Sequence, residues 1–285
     1  MNLKPFIKVP LVFLENILFS VFPSLRPFIE RYLFNPYAFN EKHLVYSKTQ
    51  FRSFLEKIGG TSQIANKTIL ELGPGGSIGF GLLALKHGAK KYYAIESISH
   101  AFITEKQMLG YRKLLENNDV LINKYFIRNT DGQYTYDPAF IEFIEVGQDS
   151  SYKLPDESID IIYSCAVLEH VHDLGLCLSE MTRVLQKNGI MNHQVDLRDH
   201  IFSQQSLWFL SFSDYWFGKL FKNTGEYVNR KRLSYYEMLI QKNNLQILEL
   251  DINSRYEKPL PKNLTKIYSE YDLQSLSFNI TLKKS

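Results

Sequence analysis

Short apolar runs alternate with helically spaced apolar residues through the middle of the chain. The runs predict strands over 68–72, 91–95, 141–146, 159–164 and 190–195. Between them, apolar positions three and four residues apart predict helices over 78–87, 102–115 and 174–185. The run at 159–164 is apolar without alternation, which is typical of a strand buried on both faces. The alternation of strand and helix predicts an α/β fold with a doubly wound, mostly parallel sheet.

Three further patterns complete this outline. A helix before the first strand is indicated by apolar residues on one face and by the glycine pair that follows them, namely Leu44, Phe51, Leu55, Ile58 and Gly59-Gly60. Residues 119–140 carry turn signals and are predicted to be irregular. Apolar runs at 245–252 and 276–282 have no helical pattern between them. We expect these two runs to pair antiparallel and to close a seven-stranded, Rossmann-like sheet.

The pattern also divides the chain. Residues 1–42 form a basic and aromatic arm, and residues 43–285 form the main domain, in which 199–236 is an aromatic insertion or lid. Prolines at five positions are expected to cut the arm into short segments, namely Pro5, Pro10, Pro23, Pro27 and Pro36. The apolar stretch 10–22 is too short to span a bilayer, which needs about 20 residues. The arm therefore either packs on the main domain or docks peripherally on a membrane.

The insertion has an unusual composition. Its aromatic residues, which are expected either to stack on sugar or lipid or to fill a core, include Trp208, Tyr215, Trp216 and Phe217. Residues 219–232 contain five basic residues and one acidic residue, Glu226; the basic residues are Lys219, Lys222, Arg230, Lys231 and Arg232. We expect a lid that favours an anionic acceptor, with a helical cap carrying a solvated charged face as the alternative.

Composition narrows the class of protein. With 45% hydrophobic and 22% charged residues, the chain can bury a core, so global disorder is excluded. The net charge of +3 gives no indication of nucleic acid. The two cysteines, Cys165 and Cys177, cannot form a disulfide framework, which favours a reducing compartment. We therefore expect a cytoplasmic protein, with peripheral attachment at the inner membrane face if the arm binds lipid.

The strongest chemical signal is a glycine-rich turn between the first strand and the next helix. Glycines there allow a sharp turn and close approach of the backbone to a ligand. Glu96, at the end of the second strand, is placed to accept both hydroxyls of a ribose. The spacing does not fit a dinucleotide motif, because G-x-G-x-x-G from Gly73 would need a glycine where Ile78 stands. Glu71 would repel a pyrophosphate and suits a cationic ligand better.

These residues resemble the class I S-adenosylmethionine-dependent methyltransferases over residues 67–195. Glu71-Leu72-Gly73-Pro74-Gly75 resembles the first motif of that family. Residues 166–171 resemble the family's segment after the fourth strand. The resemblance implies S-adenosylmethionine as cofactor. Its methionine part would be held by Glu71, Gly73, Pro74 and Gly75, its ribose by Glu96, its adenine by Asp149 and Ser150, and the cleft would include Ser164.

Candidate catalytic groups follow the fourth and fifth strands, whose carboxyl ends border the ligand cleft in such folds. His170 titrates near neutrality and is placed to accept a proton from the acceptor. His193 and Asp196 lie in a His- and Asp-rich stretch over 193–200. Since alternation puts His193 and Asp196 on opposite faces of a strand, they cannot both ligate one ion there, and we expect no metal.

The sequence therefore predicts a methyltransferase that acts on a glycan, a lipid-linked sugar or a similar acceptor, most simply at oxygen. Two alternatives stay open. One is a nicotinamide-dependent oxidoreductase on the same kind of sheet. The other is a catalytically silent methyltransferase-like module that binds a membrane or a protein.

Overall fold

The computed structural model describes residues 4–22, 25, 41–96, 103–146, 151–202, 205–224 and 227–285. Its strands are β1 (Thr68–Leu72), β2 (Lys91–Glu96), β3 (Phe126–Arg128), β4 (Tyr134–Tyr136), β5 (Ile141–Glu145), β6 (Ile159–Cys165), β7 (Leu185–Asp196), β8 (Leu245–Arg255) and β9 (Ser275–Lys284). Its α-helices are α1 (Lys4–Val21), α2 (Glu41–Ile58), α3 (Gly79–Lys86), α4 (Glu105–Leu114), α5 (Asp119–Tyr125), α6 (Leu174–Val184), α7 (Asp214–Phe221), α8 (Leu233–Lys242) and α9 (Glu270–Gln274).

Seven of these strands form one sheet in the order β5-β2-β1-β6-β7-β9-β8. The five strands from β5 to β7 are parallel, and β9 runs antiparallel to both β7 and β8. The predicted doubly wound, mostly parallel seven-stranded sheet with an antiparallel closing strand is therefore confirmed. The carboxyl ends of β1, β2 and β6 lie side by side, which places the glycine turn and Glu96 at one edge of the sheet.

A separate apolar cluster covers each face of the sheet. One cluster packs α2, α3 and α4 on the sheet through large side chains such as Phe54, Phe80 and Tyr111. The other packs α6 and α8 on the opposite face and includes Ile162, Met181 and Phe278. Both clusters use the continuous apolar runs of the central strands, whose side chains are buried on both faces.

Three local predictions were wrong. Residues 119–140 are not irregular, because they contain α5 and the antiparallel β3–β4 pair. Pro10 does not end a segment, since α1 runs through it from Lys4 to Val21. A proline inside a helix removes one hydrogen bond, and packing of the following turns compensates for that loss. The two last strands are joined by a short helix, α9, although they do pair antiparallel as expected.

The insertion and α1 share a third apolar cluster. Val12 of α1 packs with insertion residues such as Phe209, Phe217 and Phe221. Asn16 ties the two elements together, because its side chain donates to the Lys219 carbonyl at 2.6 Å and accepts from the Asn223 amide at 2.8 Å. At least the helical part of the predicted arm is therefore seated on the insertion. Among the described residues, no helix is long and apolar enough to cross a membrane.

Candidate functional site

The glycine-rich turn directly follows β1. Gly73 has a φ of 62°, and a Cβ there would lie 2.6 Å from Cγ2 of Val167. Both the left-handed backbone and the close contact exclude a larger residue. Gly75 also has a positive φ, and its amide donates to Oε2 of Glu96 at 3.1 Å. The turn is therefore held against the acid that ends β2, which is where the sequence predicts the ribose.

Glu71 points into the turn from the last residues of β1. Its side chain is 7% exposed, and the Tyr92 hydroxyl donates to its Oε2 at 2.5 Å. Burial raises the pKa of Glu71 to about 8, although the hydrogen bond from Tyr92 opposes that shift. A buried carboxyl with a raised pKa is stabilised as a carboxylate by a cation beside it. This matches the charge of the predicted ligand, an amino acid bearing an ammonium and a sulfonium.

A cavity of about 200 Å³ lies between the turn and α2. Its walls include Glu71, Gly73, Pro74 and Gly75, all of which the sequence singles out. The cavity wall also includes residues of α2 that the sequence analysis missed, namely His43, Tyr46, Ser47 and Gln50. The available signal was that the buried stripe of α2, which includes Ser47, Phe51 and Phe54, continues into polar residues toward the start of the helix. A larger cavity of about 790 Å³ beside α4 and the β3–β4 pair contains none of the predicted site residues.

The structure describes only one of the three remaining residues predicted to contact the cofactor. Asp149 and Ser150 lie outside the described residues, so their adenine contact stays a prediction. Ser164 is fully buried near the end of β6, and its Oγ lies 2.8 Å from Nδ1 of His193 on the neighbouring strand. His193 is itself buried, and burial lowers its pKa to about 4. These two residues form an interior pair, in which a neutral imidazole braces the end of β6.

A second set of polar groups lies after β6 and β7. Ligand atoms of Glu169, His170 and His200 all lie within 4.8 Å of one another. Asp196, at the end of β7, has Oδ2 3.8 Å from Nε2 of His200. The sequence indicated His170, Asp196 and the stretch 193–200 that ends at His200, but no role for Glu169. Alternation within β7 separates His193 from Asp196, whereas the turn after β7 brings His200 back toward the loop after β6.

Electrostatics distinguish the two acids of this set. Burial raises the pKa of Glu169 to about 7, against backbone hydrogen bonds that lower it. Burial also disfavours ionised Asp196, but hydrogen bonds from Arg198, His200 and the backbone hold its pKa well below the usual range. Asp196 therefore stays ionised and is a poor base near neutral pH. The position of Asp196 suits it to orient His200, whereas Glu169 and the imidazoles are suited to accept a proton.

This set lies next to the cofactor cavity. Burial raises the pKa of the Tyr46 hydroxyl, and the Cys165 thiol and the charges of Glu71 and Glu169 add to the shift. Tyr46 and Cys165 both line the cavity, and their Oη and Sγ atoms are 2.9 Å apart. The Glu71 and Glu169 carboxyls therefore act on the same cavity wall.

The charged face predicted for the insertion is smaller than expected. Arg232 is 3% exposed and donates to the carbonyls of Leu197, Asp272 and Ser275. Arg230 pairs with Asp214 and lies over the Phe217 ring at 4.3 Å. These two guanidiniums have structural roles, because Arg232 binds backbone carbonyls and Arg230 binds a carboxylate within the protein. Lys219, Lys222 and Lys231 remain exposed.

The insertion's aromatic residues also separate into two groups. Phe217 is buried, and Trp208 packs edge-on against Phe202 and Phe212. Tyr215 and Trp216 on α7 are mostly exposed. The second pair is therefore available for a ligand, a membrane or a partner.

Comparison with known proteins agrees with this geometry. Residues 70–192, from β1 into β7, match the sequence model of the methyltransferase domain family. A search of curated proteins finds no match. Among solved structures, an S-adenosylmethionine-dependent methyltransferase from Mesorhizobium loti is 15% identical, with a TM-score of 0.46 over 78% of this chain and 93% of that chain. Geranyl diphosphate C-methyltransferase from Streptomyces coelicolor is 13% identical, with a TM-score of 0.47 over 84% and 78%. Such distant likenesses carry nothing about the substrate.

Residues 70–192 match the methyltransferase domain family, and the strand order and the acidic glycine-rich turn agree with the class I S-adenosylmethionine-dependent methyltransferases that the sequence resembles. S-adenosylmethionine is the cofactor that this resemblance implies. The family match favours this interpretation over the nicotinamide-dependent oxidoreductase alternative. Glu71, Gly73, Pro74 and Gly75 fit the methionine end of this cofactor, because they combine a buried acid with a backbone that permits close approach. Glu96 fits the ribose.

Proposed function

We propose that the protein transfers a methyl group from S-adenosylmethionine to a hydroxyl oxygen of a glycan, a lipid-linked sugar or a similar acceptor. The observation that supports oxygen as the acceptor atom is the set formed by Glu169, His170 and His200 beside the cofactor cavity. An amine acceptor needs only to be neutral, whereas a hydroxyl must lose a proton as it attacks. Within this set, burial raises the pKa of the Glu169 carboxyl to about 7, so its protonation changes near neutral pH.

The proposed reaction is a direct displacement. The acceptor oxygen forms a bond to the methyl carbon, the carbon–sulfur bond breaks, and its electron pair stays on sulfur as a thioether. The hydroxyl proton goes to the Glu169–His170–His200 set. The protein's other contribution is to align the oxygen behind the methyl group and to exclude water. His193 has no direct role in this proposal, since it is buried with Ser164.

Replacement of Glu169 by Gln provides the first test. Gln keeps the shape and the oxygen that accepts from the Asp196 amide at 3.2 Å, but it removes the titratable carboxyl. We expect the turnover number with a sugar-hydroxyl acceptor to fall by about 10²–10⁴-fold, because acid–base groups contribute effects of that size. Affinity for S-adenosylhomocysteine should not change. Calorimetry and a radiolabelled methyl-transfer assay measure the two quantities.

The matched control is Glu180→Gln, on α6, where the carboxylate pairs with Arg183 away from the cavity. Its turnover number should stay within about twofold of the unaltered protein, since surface ion pairs contribute little. Unchanged turnover in Glu169→Gln would contradict the proposal. Cofactor binding without transfer to any hydroxyl would instead support the catalytically silent module.

A lipid-linked acceptor also requires access to a membrane surface, and we propose that α1 provides it. Helix α1 buries Val12 and Asn16 against the insertion, while its outer side exposes leucines and other apolar residues, among them Leu11 and Leu14 at 60% each. The neighbouring helix α7 exposes Tyr215, Trp216, Lys219 and Lys222. Aromatic rings favour the headgroup region and lysines attract anionic lipid, so this chemistry suits an anionic bilayer surface.

Vesicle binding tests this surface. Leu14→Glu should weaken binding to vesicles of anionic phospholipid by about tenfold, because burial of one leucine contributes about 1.5–3 kcal/mol. High salt should weaken binding of the unaltered protein as well. Val120→Glu is the control, since Val120 is even more exposed than Leu14 but lies on α5, and this variant should bind as the unaltered protein does. Equal sedimentation of Leu14→Glu and the unaltered protein with the vesicles would exclude α1 as the docking element.

A further inference from the structure

The loop after β6 and the turn after β7 bring two imidazoles and one carboxyl together. One ligand atom from each of Glu169, His170 and His200 lies within 4.8 Å of the others. Zinc ligands at about 2.0–2.2 Å in a tetrahedral site are separated by little more than 3 Å. The three groups therefore need only a small inward movement to share an ion, and His200 is partly exposed and able to make it.

Glu169 supplies an independent indication that something is bound at this place. Its side chain is 0% exposed, and its Oε2 has no hydrogen-bond partner among the described residues. The other oxygen, Oε1, accepts from the Asp196 amide at 3.2 Å, which fixes the direction of the carboxyl. Leaving a buried polar atom unsatisfied costs about 1–3 kcal/mol. A cation against Oε2 removes that cost.

His170 is held as metal-binding imidazoles usually are, and His200 has a carboxylate 3.8 Å from its Nε2. Nδ1 of His170 lies 2.6 Å from the Tyr227 carbonyl, which can only accept, so Nδ1 carries the proton and Nε2 carries the lone pair. Asp196 lies beside His200, and Arg198 fixes that carboxylate in turn. Carbonyl and carboxylate partners of this kind orient the histidine ligands of metal sites. Asn229 braces the same loop through the carbonyls of Leu168 and Val171.

We propose that Glu169, His170 and His200 form a binding site for a first-row divalent transition-metal ion such as Zn²⁺. Two imidazoles and one carboxylate are a donor set that such ions accept, with further positions left for other ligands. The inference deepens the proposed function and rests on it for its role. With an ion bound, the three side chains would be its ligands and would not take the proton; the ion would instead lower the pKa of an acceptor hydroxyl placed against it, so that the proton passes to water. It departs from the expectation of no metal, which considered His193 and Asp196 rather than this set.

Metal titration of the full chain, without acceptor or cofactor, tests the site directly. Co²⁺ is the first probe, because its visible absorption reports coordination by nitrogen and oxygen in a site with few ligands. Zn²⁺ competition and equilibrium dialysis then give stoichiometry and affinity. We expect one ion per chain, with Zn²⁺ displacing Co²⁺. No saturable binding of either ion would overturn the proposal.

Variants separate this site from adventitious histidine binding. His200→Ala and Glu169→Gln should each weaken Zn²⁺ binding by at least about 100-fold, since loss of an outer partner alone costs 10–100-fold. Their far-ultraviolet circular dichroism and melting temperatures establish whether they fold. His172→Gln is the matched control, because His172 is exposed on the same loop and outside the set. Equal loss in His172→Gln would overturn the proposal.

The result is separable from the methyl-transfer assays. If Glu169→Gln loses turnover while the unaltered protein binds no metal, the metal site fails and the proposed function stands. If the ion binds as expected and no hydroxyl is methylated, the proposed function fails and the site stands.

Discussion

Replacing Glu71 by Gln should weaken binding of S-adenosylhomocysteine by about 100-fold. The side chain is buried in the cavity wall, so the cofactor ammonium would lose its carboxylate in a site with little access to water. Removing one partner of a buried charge pair costs about 2–5 kcal/mol. Gln keeps the size of the side chain and can still accept from the Tyr92 hydroxyl. The free energy of unfolding at pH 7 should therefore change little, which calorimetry and urea unfolding can establish together.

The same carboxyl should make cofactor affinity depend on pH. In the free protein the pKa of Glu71 is raised to about 8 by burial, so the group is mostly protonated at pH 6 and 7. A cationic ligand needs the ionised form and competes with the proton. Affinity should therefore rise by about ninefold from pH 6 to pH 7 and by about fivefold from pH 7 to pH 8, and then level off. Glu71→Gln should lack this dependence.

Tyr92→Phe is the control for the cause of the shift. The Tyr92 hydrogen bond lowers the pKa of Glu71, so its removal should raise that pKa further. The midpoint of the affinity profile should then move to higher pH, while the affinity at the high-pH plateau should be close to that of the unaltered protein. A flat profile in the unaltered protein would show that Glu71 is not the group that meets the cofactor's charge.

Replacing Arg232 by Met should lower the free energy of unfolding by about 3–5 kcal/mol. The guanidinium donates to the carbonyls of Leu197, Asp272 and Ser275, which belong to the segments after β7 and around α9. Burial lowers its pKa to about 10, so it stays charged at pH 7. Met fills much of the volume but leaves three carbonyls without this donor, and each unsatisfied group costs about 1–3 kcal/mol. Urea unfolding followed by circular dichroism measures the loss.

Lys231→Met is the matched control one residue away. Lys231 is exposed and lies over the Tyr235 ring at 4.3 Å, so its loss should change the free energy of unfolding by no more than about 0.5 kcal/mol. If both variants unfold at the same urea concentration as the unaltered protein, the hydrogen bonds of Arg232 do not contribute to the free energy of unfolding. Activity assays on this stretch should accordingly use Lys231 and leave Arg232 in place.

The central strands were predictable because burial on both faces requires continuous apolar runs, as at β1 and β6. The β3–β4 pair escaped prediction because each strand has three residues, too few to show alternation. Helix α1 escaped because a local rule about Pro10 does not include packing against α7, which is distant in sequence. The seven-stranded topology followed from the order of elements, whereas these pieces depend on contacts between remote segments.

The cofactor site was more predictable than the acceptor site for a similar reason. Glu71, Gly73 and Gly75 lie in one turn, so their spacing alone indicates their chemistry. Glu169 and His200 are 31 positions apart and meet only because β6 and β7 are adjacent in the sheet. A count of cations likewise cannot show that Arg232 is buried while Lys231 is exposed.

The bond between Asn16 and α7 has a consequence for biosynthesis. Its two ends are separated by 203 residues, so α1 is translated long before the helix on which it rests. At about 5–20 residues per second, the ribosome needs roughly 10–40 s to supply that partner. Throughout this interval both sides of α1 are without their native cover. A chaperone or a lipid surface present during translation therefore has time to bind α1 before the helix on which it docks has been made.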